Sequence, residues 1–263
     1  MTWMRRAVRW AAGGLGLVAV GYAVYVGTAW YRYGRAASPS IDEIDPLLDQ
    51  FIPEYEVAER HQVRVTAPAE ITLSAAAEAD LQESVIVRGI FRARELVLGA
   101  QPDMVPRPKG LLAEVESLGW RVLAEKPGRE IVVGAVTQPW MANVVFRGLP
   151  PDELRAFGEP GFVKIVWTLR ADPAGPAESI FRTETRVATT DRTARTRFRW
   201  YWARFSPGIA LIRRVLLGHL KKDAERRWLS TTQVMSTKRP VFSKIHTPRP
   251  SKSPAAAIAN PYG

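Results

Sequence analysis

The chain contains no cysteine. That removes disulfides, thiolate nucleophiles, iron–sulfur clusters and thiolate-bound zinc from consideration. Histidine is scarce as well. The three present, His61, His219 and His246, are too far apart in sequence to form a helical pair or a metal-binding spacing. Acidic residues are missing from both ends: residues 1–35 carry five arginines and residues 230–263 five basic residues, with no Asp or Glu in either stretch. The +11 net charge is therefore terminal, because the 36–229 portion balances 27 basic against 26 acidic residues. A basic total with a near-neutral middle lacks the concentrated patch that nucleic-acid recognition needs, so no specific nucleic-acid partner is expected. Nucleophile-elbow and Ser-x-x-Lys motifs are absent too, and no catalytic residue, metal or cofactor is assigned. Arginine outnumbers lysine 29 to 8, the composition of a GC-rich bacterial source.

Charge is also lacking from Trp10 to Tyr31. As a helix, these residues rise about 33 Å, enough to cross a hydrocarbon core of about 30 Å. Arg5, Arg6 and Arg9 precede the run and Arg32 and Arg35 follow it, with Trp10, Trp30, Tyr31 and Tyr33 at the two interfaces. This predicts a single-pass anchor in the cell membrane, with the lipid bilayer as its first partner. By a margin of one arginine, it places the N-terminus in the cytoplasm. A cleaved signal peptide is the alternative, and the run is long for one. Ala19, Ala23 and Gly27 form a small-residue stripe along the span. Gly14, Gly16 and Ala19 match a nucleotide-binding fingerprint in spacing alone, since no strand precedes them.

Four units are expected: an anchor over 1–35, an acidic linker over 36–54, a folded domain over 55–229, and a disordered Pro/Ser-rich tail over 230–263. Pro39, Pro46 and Pro53, with Asp42, Glu43, Asp45 and Asp49, should keep the linker irregular and solvated. Within the domain, 61–66 reads as a strand and 68–78 as an Ala-rich helix, followed by helices over 84–98 and 111–118. Strands are expected over 120–125 and 129–136 around a Lys126-Pro127-Gly128 turn, then over 143–147, 162–169 and 179–188. Period-two alternation in the last pair predicts antiparallel strands with one wet face, on which Arg182, Glu184 and Arg186 make surface pairs with Lys164. Asp191 should cap a long helix burying Phe198, Trp202, Phe205, Ile209, Ile212 and Leu216, kinked or split at Pro207-Gly208. The 11 basic and 3 acidic residues of 191–229 should form a basic outer stripe able to meet anionic lipid.

The stretch His61-Gln-Val-Arg-Val-Thr-Ala-Pro-Ala-Glu, and Thr183-Glu-Thr-Arg-Val leading to Asp191 and the aromatic helix, resemble the opening and closing segments of the START-like, or SRPBCC, superfamily. That superfamily includes polyketide cyclases and pollen-allergen-like proteins. The resemblance covers about residues 58–220. It implies an α+β helix-grip fold, a curved antiparallel sheet wrapped around the long C-terminal helix, here preceded by one transmembrane helix. It further implies an internal apolar cavity that holds a hydrophobic small molecule or lipid. On that reading the pocket candidates are Trp140, Trp167, Thr183, Thr185 and Trp202: aromatics supply apolar area and hydroxyls a few orienting hydrogen bonds. A membrane-surface scaffold with a filled core and a cyclase-like enzyme acting on an aromatic or polyketide substrate are the two alternatives.

Overall fold

A computed structural model of the chain describes residues 2–80, 84–100 and 107–237. The remainder of the tail, 238–263, lies outside the described residues. Helix α1 (Thr2–Arg32) leads to α2 (Pro46–Asp49), β1 (Val57–Val65), α3 (Ala69–Ala77), α4 (Val85–Leu98) and α5 (Leu111–Ser117). Strands β2 (Arg121–Lys126), β3 (Glu130–Thr137) and β4 (Phe146–Arg147) follow, then α6 (Pro151–Ala156), β5 (Val163–Gly175), β6 (Glu178–Thr189) and the 46-residue α7 (Arg192–Thr237). The six strands form one curved antiparallel sheet in the order β1-β6-β5-β3-β2, with β4 added to β3.

Alternation decides which side chains face α7. Val57, Val63 and Val65 of β1 share the inner face with Phe181 and Val187 of β6, and with Ile165, Trp167, Leu169 and Ala171 of β5. Two apolar clusters form there. One joins Val133, Trp167, Leu169 and Phe181 to Leu73 and Ala76 of α3 and to Leu220 and Ala224 of α7. The other joins Val57, Val163 and Val187 to Tyr33, Phe198 and Trp202. Asp191 caps α7 as expected, its Oδ1 accepting from the Ala194 N–H at 2.6 Å.

Several expectations are corrected. The expected linker over 36–54 is not solvated throughout: a 3-10 turn at Ile41–Glu43 and α2 strap the outer face of the sheet, burying Leu47, Leu48, Phe51 and Ile52 against Leu123, Val132, Leu154 and Val166. Asp45 makes this possible by accepting from the Leu47 and Leu48 N–H groups at the α2 N-terminus. The outer face of β6 is consequently dry. Arg186 is 1 % exposed, ion-paired to Glu184 at 2.8 Å and to Asp49, with its guanidinium over the Tyr55 ring at 4.7 Å. Arg60 completes the set, 2.9 Å from Glu184, and Arg182 pairs with Asp42 and Asp172. Lys164 takes no part: it sits opposite Ala188 and donates to the Arg155 carbonyl.

Helix α7 is also not split. It runs through Pro207 to Thr237, with buried Trp202 and Ala203 on one side of the proline and Leu220 and Ala224 on the other. Packing of both halves on one sheet outweighs the hydrogen bond that proline lacks. The first eight residues of the expected tail, 230–237, are thus helical. The basic stripe is only partly a stripe. Arg199 and Arg227 are tied to α1 and α3, and Arg213 points inward, whereas Arg192, Arg195, Arg197 and Arg204 are exposed.

Candidate functional site

Helical spacing carries the inward face of α7 from Phe198 and Trp202 through Ser206 to Arg213, and then to Leu217 and Leu220. An arginine therefore lies at the centre of the helix-sheet interface. The sheet is polar at the same level. Glu59 and His61 occupy inner positions of β1, opposite Thr185 and Thr183 of β6. Arg213 donates to the Thr183 hydroxyl at 3.0 Å and to the Thr185 hydroxyl. Its Nε has no hydrogen-bond partner, nor does His61 Nε2, which lies 3.5 Å from the Glu59 carboxylate. Burial pushes the Arg213 guanidinium down to about 10, and the Glu59 charge only partly opposes this. The group is cationic at neutral pH in a place where a cation is poorly solvated.

Beside this cluster lies a cleft of about 230 Å³ between the end of α1, β1 and α7. Tyr25 and Ala29 form its α1 wall, and Tyr33, Val57, Glu59, Trp202 and Ser206 line the domain side. Glu59 belongs to both the cleft and the polar cluster. Two hydroxyls in the cleft, Tyr33 Oη and Ser206 Oγ, are buried without a hydrogen-bond partner. Burial, reinforced by the Glu56 carboxylate, raises the Tyr33 phenol well above its ordinary value, so it remains a neutral donor and acceptor. Buried polar atoms are normally paired, so these two hydroxyls, lining the same cleft as Glu59, are able to bond a polar group placed there. A second cavity, about 20 Å³ under the strap on the outer face, has room for little more than a water molecule.

The five sequence candidates scatter around this centre. Thr183 and Thr185 are at its heart, and Trp202 lines the cleft. Arg213, about three turns further along α7 than Trp202, is the residue that donates to the two threonines. Trp167 shares the inner face but belongs to the neighbouring apolar cluster, its ring 6.2 Å from that of Trp120. Trp140 packs on the cluster that contains Trp202, with its Nε1 buried and unpartnered. Glu59, His61, Ser206 and Arg213 were not among the candidates. Continuing the 3–4 residue step from Trp202 would have found the last two.

The strands enclosing this site follow one helix-sheet order: an opening strand, helices, a run of antiparallel strands, and a long helix laid across the inner face. The fold is α+β, a curved antiparallel sheet closed by a long C-terminal helix. Solved structures to which the chain is similar include norcoclaurine synthase of Thalictrum flavum, at 12% identity over 67% of this chain and 96% of that one, with a TM-score of 0.30. An aromatase/cyclase from a Streptomyces species matches at 17% identity over 65% and 94%, TM-score 0.22. A START superfamily protein of Mycobacterium smegmatis matches at 14% over 66% and 98%, TM-score 0.25. Superpositions this loose transfer no ligand and no chemistry. No family model and no curated protein matches the chain. The domain must be read from its own residues.

Proposed function

We propose that this protein is a membrane-anchored START-like domain that binds a single amphiphile or lipid, its apolar body in the cleft beside Trp202 and its polar end toward Arg213, Thr183 and Thr185. The observation that carries the reading is the cleft itself. It is concave and partly aromatic, and it holds two buried hydroxyls without partners beside a desolvated guanidinium. The site is polar at its centre, not apolar throughout, which favours an amphiphile over a hydrocarbon. Among the described residues, one helix is long and apolar enough to cross a membrane, Gly13–Arg32. It forms a wall of the cleft, so the anchor and the site are contiguous. A membrane is then both the location and the source of the ligand.

The test uses the full chain, purified from membranes in mild detergent and examined by native mass spectrometry with lipid extraction. The expected result is one class of amphiphile bound at one per chain and lost in Ser206→Trp, which fills the cleft. Retention of the same ligand by Ser206→Trp, or the absence of any bound amphiphile, refutes the proposal.

A second reading is supported by the exposed Arg192, Arg195 and Arg197, close in sequence to the α7 residues that touch the end of α1. These arginines add attraction for anionic headgroups of about 1 kcal/mol each near the surface. Their contribution should vanish as salt rises through the physiological range, where the Debye length is about 8 Å. The two readings are compatible, since arginines that hold the domain to lipid also hold the cleft over it.

A further inference from the structure

Helix α1 is used twice, and the two uses collide. Its C-terminal third is clasped to α7: Tyr22 donates to the Arg204 carbonyl at 2.9 Å, the Trp30 and Trp200 rings lie 4.1 Å apart, and Arg199 sits 4.0 Å over Trp30 while donating to its carbonyl. The same residues belong to the Gly13–Arg32 span. At 1.5 Å per residue the span is about 30 Å long, and Tyr22 stands near its middle. Were α1 to cross a bilayer with the clasp intact, the Arg204 backbone would lie near the bilayer midplane. The contacts run antiparallel, from Tyr22–Arg204 through Trp30–Trp200 to Tyr33–Phe198. Descending along α1 therefore means advancing along α7, toward Arg213 and the sheet packed on it. Edge strand β1 would follow into the hydrocarbon, which tolerates neither an open sheet edge nor unpaired arginines.

The clasped seat is no more comfortable in water. Leu15, Leu17, Val18, Val20 and Val24 of α1 are all more than 60 % exposed there, and such a face calls for lipid. We propose that α1 exchanges between two seats, on α7 with the cleft closed and in the bilayer with the cleft open, so that insertion uncovers the ligand site. This deepens the functional proposal and rests on its membrane reading. The moving wall is made by Tyr25, Thr28, Ala29 and Arg32; once it leaves, Trp202, Ser206 and Glu59 face the lipid surface. A hinge is present. Gly34 has φ +75°, a left-handed conformation suited to glycine, and residues 35–40 form no regular element.

The absence of cysteine makes the test direct. Single-cysteine variants of the full chain, Val18→Cys and Ser206→Cys, are treated with a sulfonated, membrane-impermeant maleimide before and after transfer into phosphatidylcholine vesicles. The proposal expects Val18→Cys to react before transfer and be shielded after it, while Ser206→Cys, 2 % exposed in the clasped form, reacts at least tenfold faster after transfer. Shielding of Val18→Cys with Ser206→Cys still protected overturns the two-seat exchange and leaves the anchor standing. Continued reaction of Val18→Cys in vesicles removes the anchor and the exchange with it. Ser206→Cys reacting freely before transfer shows that α1 never closed the cleft. Tyr22→Cys/Arg204→Cys gives an independent readout: a short bismaleimide, long enough to replace the reach of the Tyr22 side chain to the Arg204 carbonyl, should cross-link the pair before transfer and not after. Equal cross-linking in both conditions counts against the proposal even if the Ser206 variant does not fold.

Discussion

Replacing Arg213 with methionine should make the protein more stable while emptying its site. Burial pushes the guanidinium down from its ordinary value to about 10 in the fold. At 1.36 kcal/mol per pH unit, this disfavours the charged form by about 3 kcal/mol. Because the folded value is the lower of the two, the penalty is in full force at every pH below about 10 and fades only as pH rises further, toward the value of the free guanidinium. Methionine keeps the length and apolar stem, removes the charge, and forfeits the two bonds to Thr183 and Thr185 at about 1 kcal/mol each. The balance is a gain of about 1 kcal/mol, read as a higher urea midpoint at unchanged m-value for the full chain in detergent. Bound amphiphile should fall together with that gain, as when a site trades stability for function. A methionine variant less stable than the parent by 1 kcal/mol or more would refute the reasoning, because Arg213 would then be a structural pillar.

Other consequences can be checked alongside. Burial, with Asp45 adding to it and Lys126 opposing, raises Glu130 to about 7; the folded state then holds a proton that the unfolded state has released. Stability should decline as pH climbs from about 4.5 to 7 and level off above, and Glu130→Gln should flatten that decline in thermal melts. Leu48→Ala and Ile52→Ala, at 0 % and 1 % exposure, should each cost about 2–5 kcal/mol, whereas a loose linker would give changes within about 0.5 kcal/mol. Ser206→Ala and Tyr33→Phe each remove a buried hydroxyl without a partner, so neither should lower the melting temperature, and both should weaken amphiphile retention. Equal retention would mean that the hydroxyls do not meet the ligand.

Periodicity made the scaffold readable. The alternation of β5 and β6, the Asp191 cap and the Ala-rich α3 each signal their element within a few residues, because each depends on local spacing. The strap was hidden for the opposite reason: Leu47, Leu48, Phe51 and Ile52 sit among prolines and carboxylates in a run too short to show a period, and their burial comes from a sheet distant in sequence. Arg182, Glu184 and Arg186 looked like a wet face because charge usually marks one, and only the strap above them makes that face dry. The site was half legible. Thr183 and Thr185 were found by their strand face, but Arg213 lay in a run of basic residues that reads as surface, and nothing local shows that Glu59 and His61 face it across the sheet.

With α1 in the bilayer as proposed, the strap would also fix how far the domain stands from the lipid. With the strap fastened to the sheet, only eight residues, 33–40, join Arg32 to Ile41, at most about 28 Å when pulled straight. In the proposed open form, such a short leash would confine the domain to the zone just above the headgroups even after α1 has left it. A molecule leaving the bilayer would not need to cross open water to reach Trp202.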